Sequence, residues 1–140
     1  MKLILGSASP RRLEILKQAN IVPVKIIPAD IDEEPKAGEL PIKYCERIAL
    51  EKVNAISGGA DEIILTADTT VSVGRRIMGK PKDPDEAIKF LKLLSGRRHK
   101  VITAIAVKNA QEIRKKTVIS SVKFKNLSSH DIDYYISSGE

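Results

Sequence analysis

KLILGSASPRRLEIL, residues 2 to 16, decides the fold. An apolar run, Lys2–Leu5, reads as a short buried strand and ends in a glycine and two serines. Pro10 then stands at the first position of a helix expected to run to about Ala19. A missing N–H costs nothing at that position. Leu13, Ile15, Leu16 and Ala19 give this helix one apolar side. Its first turn holds two arginines, Arg11 and Arg12, although a helix amino terminus already carries partial positive charge. A strand feeding a helix through a Gly/Ser loop is the start of an α/β domain, and in open α/β sheets ligands gather where strands end.

The same alternation continues along the chain. Val24–Pro28 reads as a second strand, followed by an acid-rich loop from Ala29 to Leu40. Pro41 to about Ser57 is the clearest helix, with Ile42, Cys45, Ala49, Val53 and Ile56 on one face. Glu62–Ala67 is an apolar strand leading into Asp68-Thr69-Thr70, and Val71–Gly74 reads as another short strand. Asp83-Pro84 with Glu86 starts a helix that stops at Ser95-Gly96. Lys100–Val107 and Ile113–Phe124 form an expected hairpin, its first strand apolar on both faces and therefore central. A last helix begins near Ser128, with Asp131 placed for a capping box. The order β-α-β-α-β-β-α-β-β-α implies one α/β domain over residues 1–140, with a mixed twisted sheet flanked by helices.

Whole-chain properties narrow the classes. The chain has 140 residues, 42% hydrophobic and 30% charged, enough for a single core. No apolar stretch approaches the ~20 residues that cross a bilayer, so no membrane partner is expected. Cys45 is the only cysteine; no internal disulfide can form, and a cytoplasmic location is the default expectation. On its helix Cys45 is most simply a small core residue. The net charge of +6 suggests an anionic partner. Three Tyr, two Phe and no Trp leave few platforms for stacking bases, which argues against a nucleic-acid surface. The clusters Arg97-Arg98-His99-Lys100 and Arg114-Lys115-Lys116 read as solvated faces or hairpin ends.

Two places carry chemistry. After Gly6, backbone N–H groups, the hydroxyls of Ser7 and Ser9, and the guanidiniums of Arg11 and Arg12 converge as an anion site. The plainer reading is an arginine pair on a solvated helix. Asp68, directly after an apolar strand, is placed to hold a divalent cation or to deprotonate water, or else simply to cap a turn. Lys80 in Gly79-Lys80-Pro81 is a phosphate contact or a turn residue, and the loop lacks the spacing of a Walker A motif. Glu33 is a metal ligand or a solvated carboxylate. His99 and His130 have no metal-ligand spacing and read as structural or exposed. Lys52 reads as a surface lysine.

LGSASPRRLEIL, LTADTTVSV, GKPKDPDEAIKFLKLLSGRRHKVITAIAV and DIDYYISSGE occur in the order and at the separations of the Maf family, which this sequence resembles over essentially its whole length. The resemblance implies a Maf/ITPase-like fold and hydrolysis of a nucleoside triphosphate to monophosphate and pyrophosphate with Mg²⁺ or Mn²⁺. It implies Asp68 as proton acceptor, Arg11 and Arg12 as the family's arginine pair, Thr69 as a specificity position, and Glu33, Lys52 and Lys80 as charged site residues. The PRR and ADT forms resemble the branch acting on dTTP and UTP. A homodimer is also implied.

Family members continue past SGE into a segment resembling PxDKAGxYGIQG, whereas this sequence stops at Glu140. The expectation is a family fold with its C-terminal part missing, one wall of the pocket absent and apolar surface uncovered. A second reading follows: a catalytically impaired Maf-like protein that binds nucleotide or a cell-division partner without turnover.

Overall fold

In the computed structural model, which describes residues 2–138, the opening stretch forms strand β1 (Lys2–Leu5), a loop, and helix α1 (Pro10–Gln18). There follow β2 (Lys25–Ile26), α2 (Pro41–Asn54), β3 (Glu62–Val73), β4 (Arg76–Met78), α3 (Pro84–Leu94), β5 (Arg98–Lys108), β6 (Ile113–Lys123) and α4 (Ser129–Ser137). The sheet runs β2-β1-β3-β5-β6, with β4 attached to the far part of β3. β1 is parallel to β2 and β3, through helical crossovers, while β3–β4, β3–β5 and β5–β6 are antiparallel. The expected alternation and the central place of β5 are both present.

The core lies between α2 and one face of this sheet. Cys45, Ala49, Val53 and Ile56 pack with Ile4, Ile64, Ile102, Ala104 and Ala106. Each large aliphatic side chain buried in this way contributes about 1.5–3 kcal/mol. The expected apolar face of α2 is shifted slightly: Ile48 is fully buried, whereas Ile42 at the first turn is 37% exposed. α1 behaves differently. None of its residues is fully buried: Leu13 and Leu16 are half-buried and Ile15 is 57% exposed, so the apolar side read from the sequence is only partly covered among the described residues.

The largest correction concerns β3. The sequence reads as two strands separated by Asp68-Thr69-Thr70, but β3 is one 12-residue strand. β5 pairs with it without a break, from Ile64 opposite Lys108 to Ser72 opposite Lys100. A full ladder of backbone hydrogen bonds outweighs the weak strand preference of a polar triplet. Asp68 therefore sits in mid-strand, opposite Ala104, and not at a strand end. Two smaller differences accompany this. β4 lies at 76–78, beyond the turn at Gly74 whose φ is +59°, and β2 keeps only two of its five expected residues.

The other edge of β3 is interrupted. β1 pairs with Glu62–Leu65 and β4 with Val71–Val73, so residues 66–70 have no strand beside them on that edge. β1 ends at the gap with Gly6 N donating to the Leu65 carbonyl at 2.8 Å. A Cβ on Gly6 would lie 2.5 Å from Ile56 Cδ1 and 2.7 Å from Thr66 Cγ2, so the close approach requires glycine. The gap is where the candidate residues meet.

Candidate active site

Side chains alternate along β3, so Asp68 and Thr69 point to opposite faces of the sheet beside the gap. Between them the Ala67 carbonyl lacks a strand partner. It accepts hydrogen bonds from Arg12 Nη1 at 3.1 Å and Lys52 Nζ at 3.4 Å. Arg12 arrives from α1 and Lys52 from α2, so two cations converge on one carbonyl oxygen.

The loop after β1 positions Arg12. Ser9 is the N-cap of α1, its Oγ accepting Arg12 N at 3.4 Å. Ser7, nearly buried, accepts Ser9 N at 3.1 Å and Arg12 Nη1 at 3.3 Å. Arg12 Nη2 donates to Thr69 Oγ1 at 3.3 Å, and Thr69 shares a hydrogen bond with Thr103 of β5 at 3.1 Å. The guanidinium thus ties α1 to β3, which accounts for one of the two first-turn arginines. Arg11 is exposed and forms no hydrogen bond or ion pair with the described residues.

On the other face, α2 brings Lys52 to Asp68. Its ammonium is 3.5 Å from Asp68 Oδ1 and 3.5 Å from Glu33 Oε1. The Lys52 and Asp68 side chains are only 14% and 11% exposed, whereas Glu33 is 53% exposed at the mouth. Two carboxylates so close would repel each other, and the ammonium between them offsets this. The surface placement read for Lys52 from sequence is overturned: its neighbour Val53 is fully buried and carries it inward. Asp68 Oδ2 accepts the hydroxyl of Thr70 at 2.8 Å, while Cys45 Sγ–H donates to the Asp68 main-chain oxygen at 3.2 Å. Burial pushes the Cys45 thiol above its ordinary value, consistent with a core role.

Glu33 belongs to the long acidic loop, which α2 holds by its outer face. Tyr44 Oη donates to the Glu33 carbonyl at 2.6 Å. Arg47 donates to Glu39 from both Nε and Nη2, at 2.7 and 2.9 Å, and also to Glu51 and the Glu34 carbonyl. Burial pushes the Tyr44 phenol up to about 12, with the Asp68 and Glu33 charges adding to the effect. The Arg47 hydrogen bond holds Glu39 down at about 2.

Not every expected residue joins this cluster. Lys80 is exposed in the loop after β4 and forms no hydrogen bond or ion pair with the others. The Ser9 hydroxyl accepts the capping bond from Arg12 N, which leaves its O–H as a donor at the loop. His99 is buried, edge-on to Phe124 at 4.8 Å, and its pKa is lowered by that burial. A groove of about 920 Å³ between β4 and α3 contains neither Asp68 nor Lys52. It is lined by charges of both signs, including Arg76, Asp83, Glu86 and Lys89, whereas the groups that could act on phosphate meet at the gap. Sequence reading missed Thr70, Thr103, Tyr44, Arg47 and the Ala67 carbonyl. For Thr70 only the two-residue spacing from Asp68 was visible, and it becomes a shared face once β3 runs unbroken through the triplet. The others depend on pairing across the sheet and on the path of the acidic loop.

Fold and site together define an α/β domain with a mixed sheet and a charged cleft at an interrupted strand edge. The fold is shared with a HAM1 protein from Coxiella burnetii, at a TM-score of 0.55 and 17% identity over 88% of this chain and 72% of that one. The family model described as "Maf-like protein" matches residues 2–140, and the chain belongs to the Maf family. It is 54% identical over its whole length to a protein of Cereibacter sphaeroides named dTTP/UTP pyrophosphatase, covering 73% of that protein. A protein of the same name from Roseobacter denitrificans is 56% identical over 135 residues, 96% of this chain and 72% of the relative.

Proposed function

We propose that this chain is a nucleoside triphosphate pyrophosphatase acting on dTTP, UTP or modified pyrimidine nucleotides. The observation that carries the reading is the convergence of Arg12, Lys52 and Asp68 on the open edge of β3, in a chain about half identical to proteins of that name.

The chemistry follows from the groups present. Arg12 and Lys52 are cations on the two faces of one strand edge, so a polyphosphate entering the gap meets positive charge from both sides. Arg11, free of protein partners among the described residues, adds a third cation at the rim, and Lys80 a fourth if the β4–α3 loop closes on the nucleotide. Ser7 and Thr69 supply hydroxyls beside Arg12, and Thr69 faces the side on which a base would be read. Asp68 takes a proton from water at Oδ1. The water oxygen bonds to the α-phosphorus, the P–O bond to the β-phosphate breaks, and its electron pair leaves on pyrophosphate.

Glu33 and Asp68 supply hard oxygen donors on either side of the Lys52 ammonium. A divalent cation such as Mg²⁺ or Mn²⁺, which takes one or two carboxylates together with substrate phosphates, would share or replace the ammonium as their counter-charge. The described residues contain no cluster of three or more acidic, His or Cys side chains that would hold a metal ion without substrate. When bound, such a cation screens the triphosphate charge and polarises the phosphoryl oxygens. No helix among the described residues is long and apolar enough to cross a membrane. A homodimer belongs to this proposal and rests on the family resemblance, while a cytoplasmic location rests on the single cysteine.

The test is release of pyrophosphate from a nucleotide panel with Mg²⁺ or Mn²⁺. Pyrophosphate and monophosphate from dTTP or UTP, lost in Asp68→Asn, are expected. Nucleotide binding without turnover by the folded chain would replace the enzyme reading with that of a binding protein.

A further inference from the structure

Four residues on the α2 side of β3 form a buried polar row: Thr66, Asp68, Thr70 and Ser72. In a strand that is otherwise core, each hydroxyl needs an acceptor. Thr66 has a structural one, as its Oγ1 donates to the Ala49 carbonyl of α2 at 2.7 Å. Thr70 differs. It is 3% exposed, and its Oγ1 donates to Asp68 Oδ2 at 2.8 Å.

We infer that Thr70 is a positioning residue for Asp68, a role resting on the pyrophosphatase reading of the site. A carboxylate can rotate about its Cβ–Cγ bond, and only one of its orientations puts a given oxygen toward substrate. The Thr70 hydroxyl pins Oδ2 within the sheet, which leaves Oδ1 facing Lys52 and, beyond it, Glu33. The Asp68 backbone is held separately by the ladder to β5 and by the Cys45 thiol, so the Thr70 bond constrains the carboxylate in particular. Strand geometry makes the arrangement local: residues two apart share a face, and a threonine hydroxyl is long enough to reach its neighbour. Valine at this position would keep the shape and strand preference but remove the donor, leaving a buried carboxylate oxygen without its partner.

The experiment compares Thr70→Val and Thr70→Ser with the unaltered 140-residue chain and Asp68→Asn, measuring kcat and KM for dTTP or UTP and the melting temperature of each. Loss of a group that orients a site residue typically lowers activity about 10–100-fold. Thr70→Val is expected to show a fall of that size in kcat with KM changed less than about threefold, and Thr70→Ser to recover most of it. Thr70→Val with unchanged kcat would overturn the role. So would a serine variant as impaired as valine at matched melting temperature, since a hydroxyl would then not be what matters. Absence of turnover in the unaltered chain is a different failure, because it removes the pyrophosphatase reading and this role with it.

Discussion

Lys52 and Arg12 meet the same carbonyl oxygen but are supported in opposite ways. Lys52 projects from α2, whose Cys45, Ile48, Ala49 and Val53 are all essentially inaccessible to solvent. Arg12 projects from α1, which buries no residue. One cation is therefore placed by core packing, and the other by its own hydrogen bonds to Ser7, Ala67 and Thr69. On the α2 side the side chain is a consequence of the helix's position. On the α1 side, the helix's position depends partly on the side chain.

The expected effects of mutation separate the two sides. Asp68→Asn removes the charge and the proton acceptor together, and pyrophosphate release should fall by about 10²–10⁴-fold. Nucleotide affinity, measured by titration, should stay within severalfold; unchanged turnover would take Asp68 out of the base role. Gly6→Ala strikes the junction between the sides by forcing a methyl against Ile56 and Thr66. Overpacking of this kind costs about 1–3 kcal/mol, readable in urea unfolding. A neutral result would mean that β1 can move away from β3.

Arg12→Ala and Lys52→Ala test the comparison itself. Each loses charge-assisted contacts and should weaken nucleotide binding by about tenfold or more. Amide exchange should distinguish them, with α1 opening faster in Arg12→Ala while α2 keeps its protection in Lys52→Ala. Equal loosening of both helices would break the distinction.

The smallest effect is expected at the acidic loop. The Glu39 carboxyl is lowered from an ordinary 4.5 to about 2, chiefly by the Arg47 hydrogen bond. A depressed folded value means that the ionised form stabilises the fold above the unfolded value, and that this stabilisation is lost as pH falls through the folded one. The stability gap between the unaltered chain and Glu39→Gln should therefore be full at neutral pH, shrink between about 4.5 and about 2, and vanish below. A gap independent of pH would show that the Arg47 contact does not depend on the carboxylate charge.

Much of the fold was legible because its signals are local. Pro10, Pro41 and Pro84 open helices where expected, Ser128 and Asp131 form the capping box, and doubly apolar β5 is central. The errors fall where distant pairing outweighs local preference. Asp68-Thr69-Thr70 reads as a break, yet β5 draws it into a continuous strand. The periodicity of α1 marks an apolar side, but the described residues cover it only in part, at Leu13 and Leu16.

For the site, the division follows the same line. Residue types and their order are properties of the chain, and these by themselves determined an α/β domain with arginines behind a Gly/Ser loop and an acid near the middle of the sequence. Which of those residues meet was decided by tertiary structure. The gap in the β3 edge exists because β1 stops at Leu5 and β4 starts pairing at Val71, and no local pattern encodes that spacing. Lys52 turns inward because the neighbouring Val53 is buried against the sheet, and Asp68 faces it because strand alternation, carried unbroken by β5, puts it on that side. Charge and hydrogen-bonding capacity belong to single residues, while convergence depends on hydrogen bonds and packing between segments far apart in the chain.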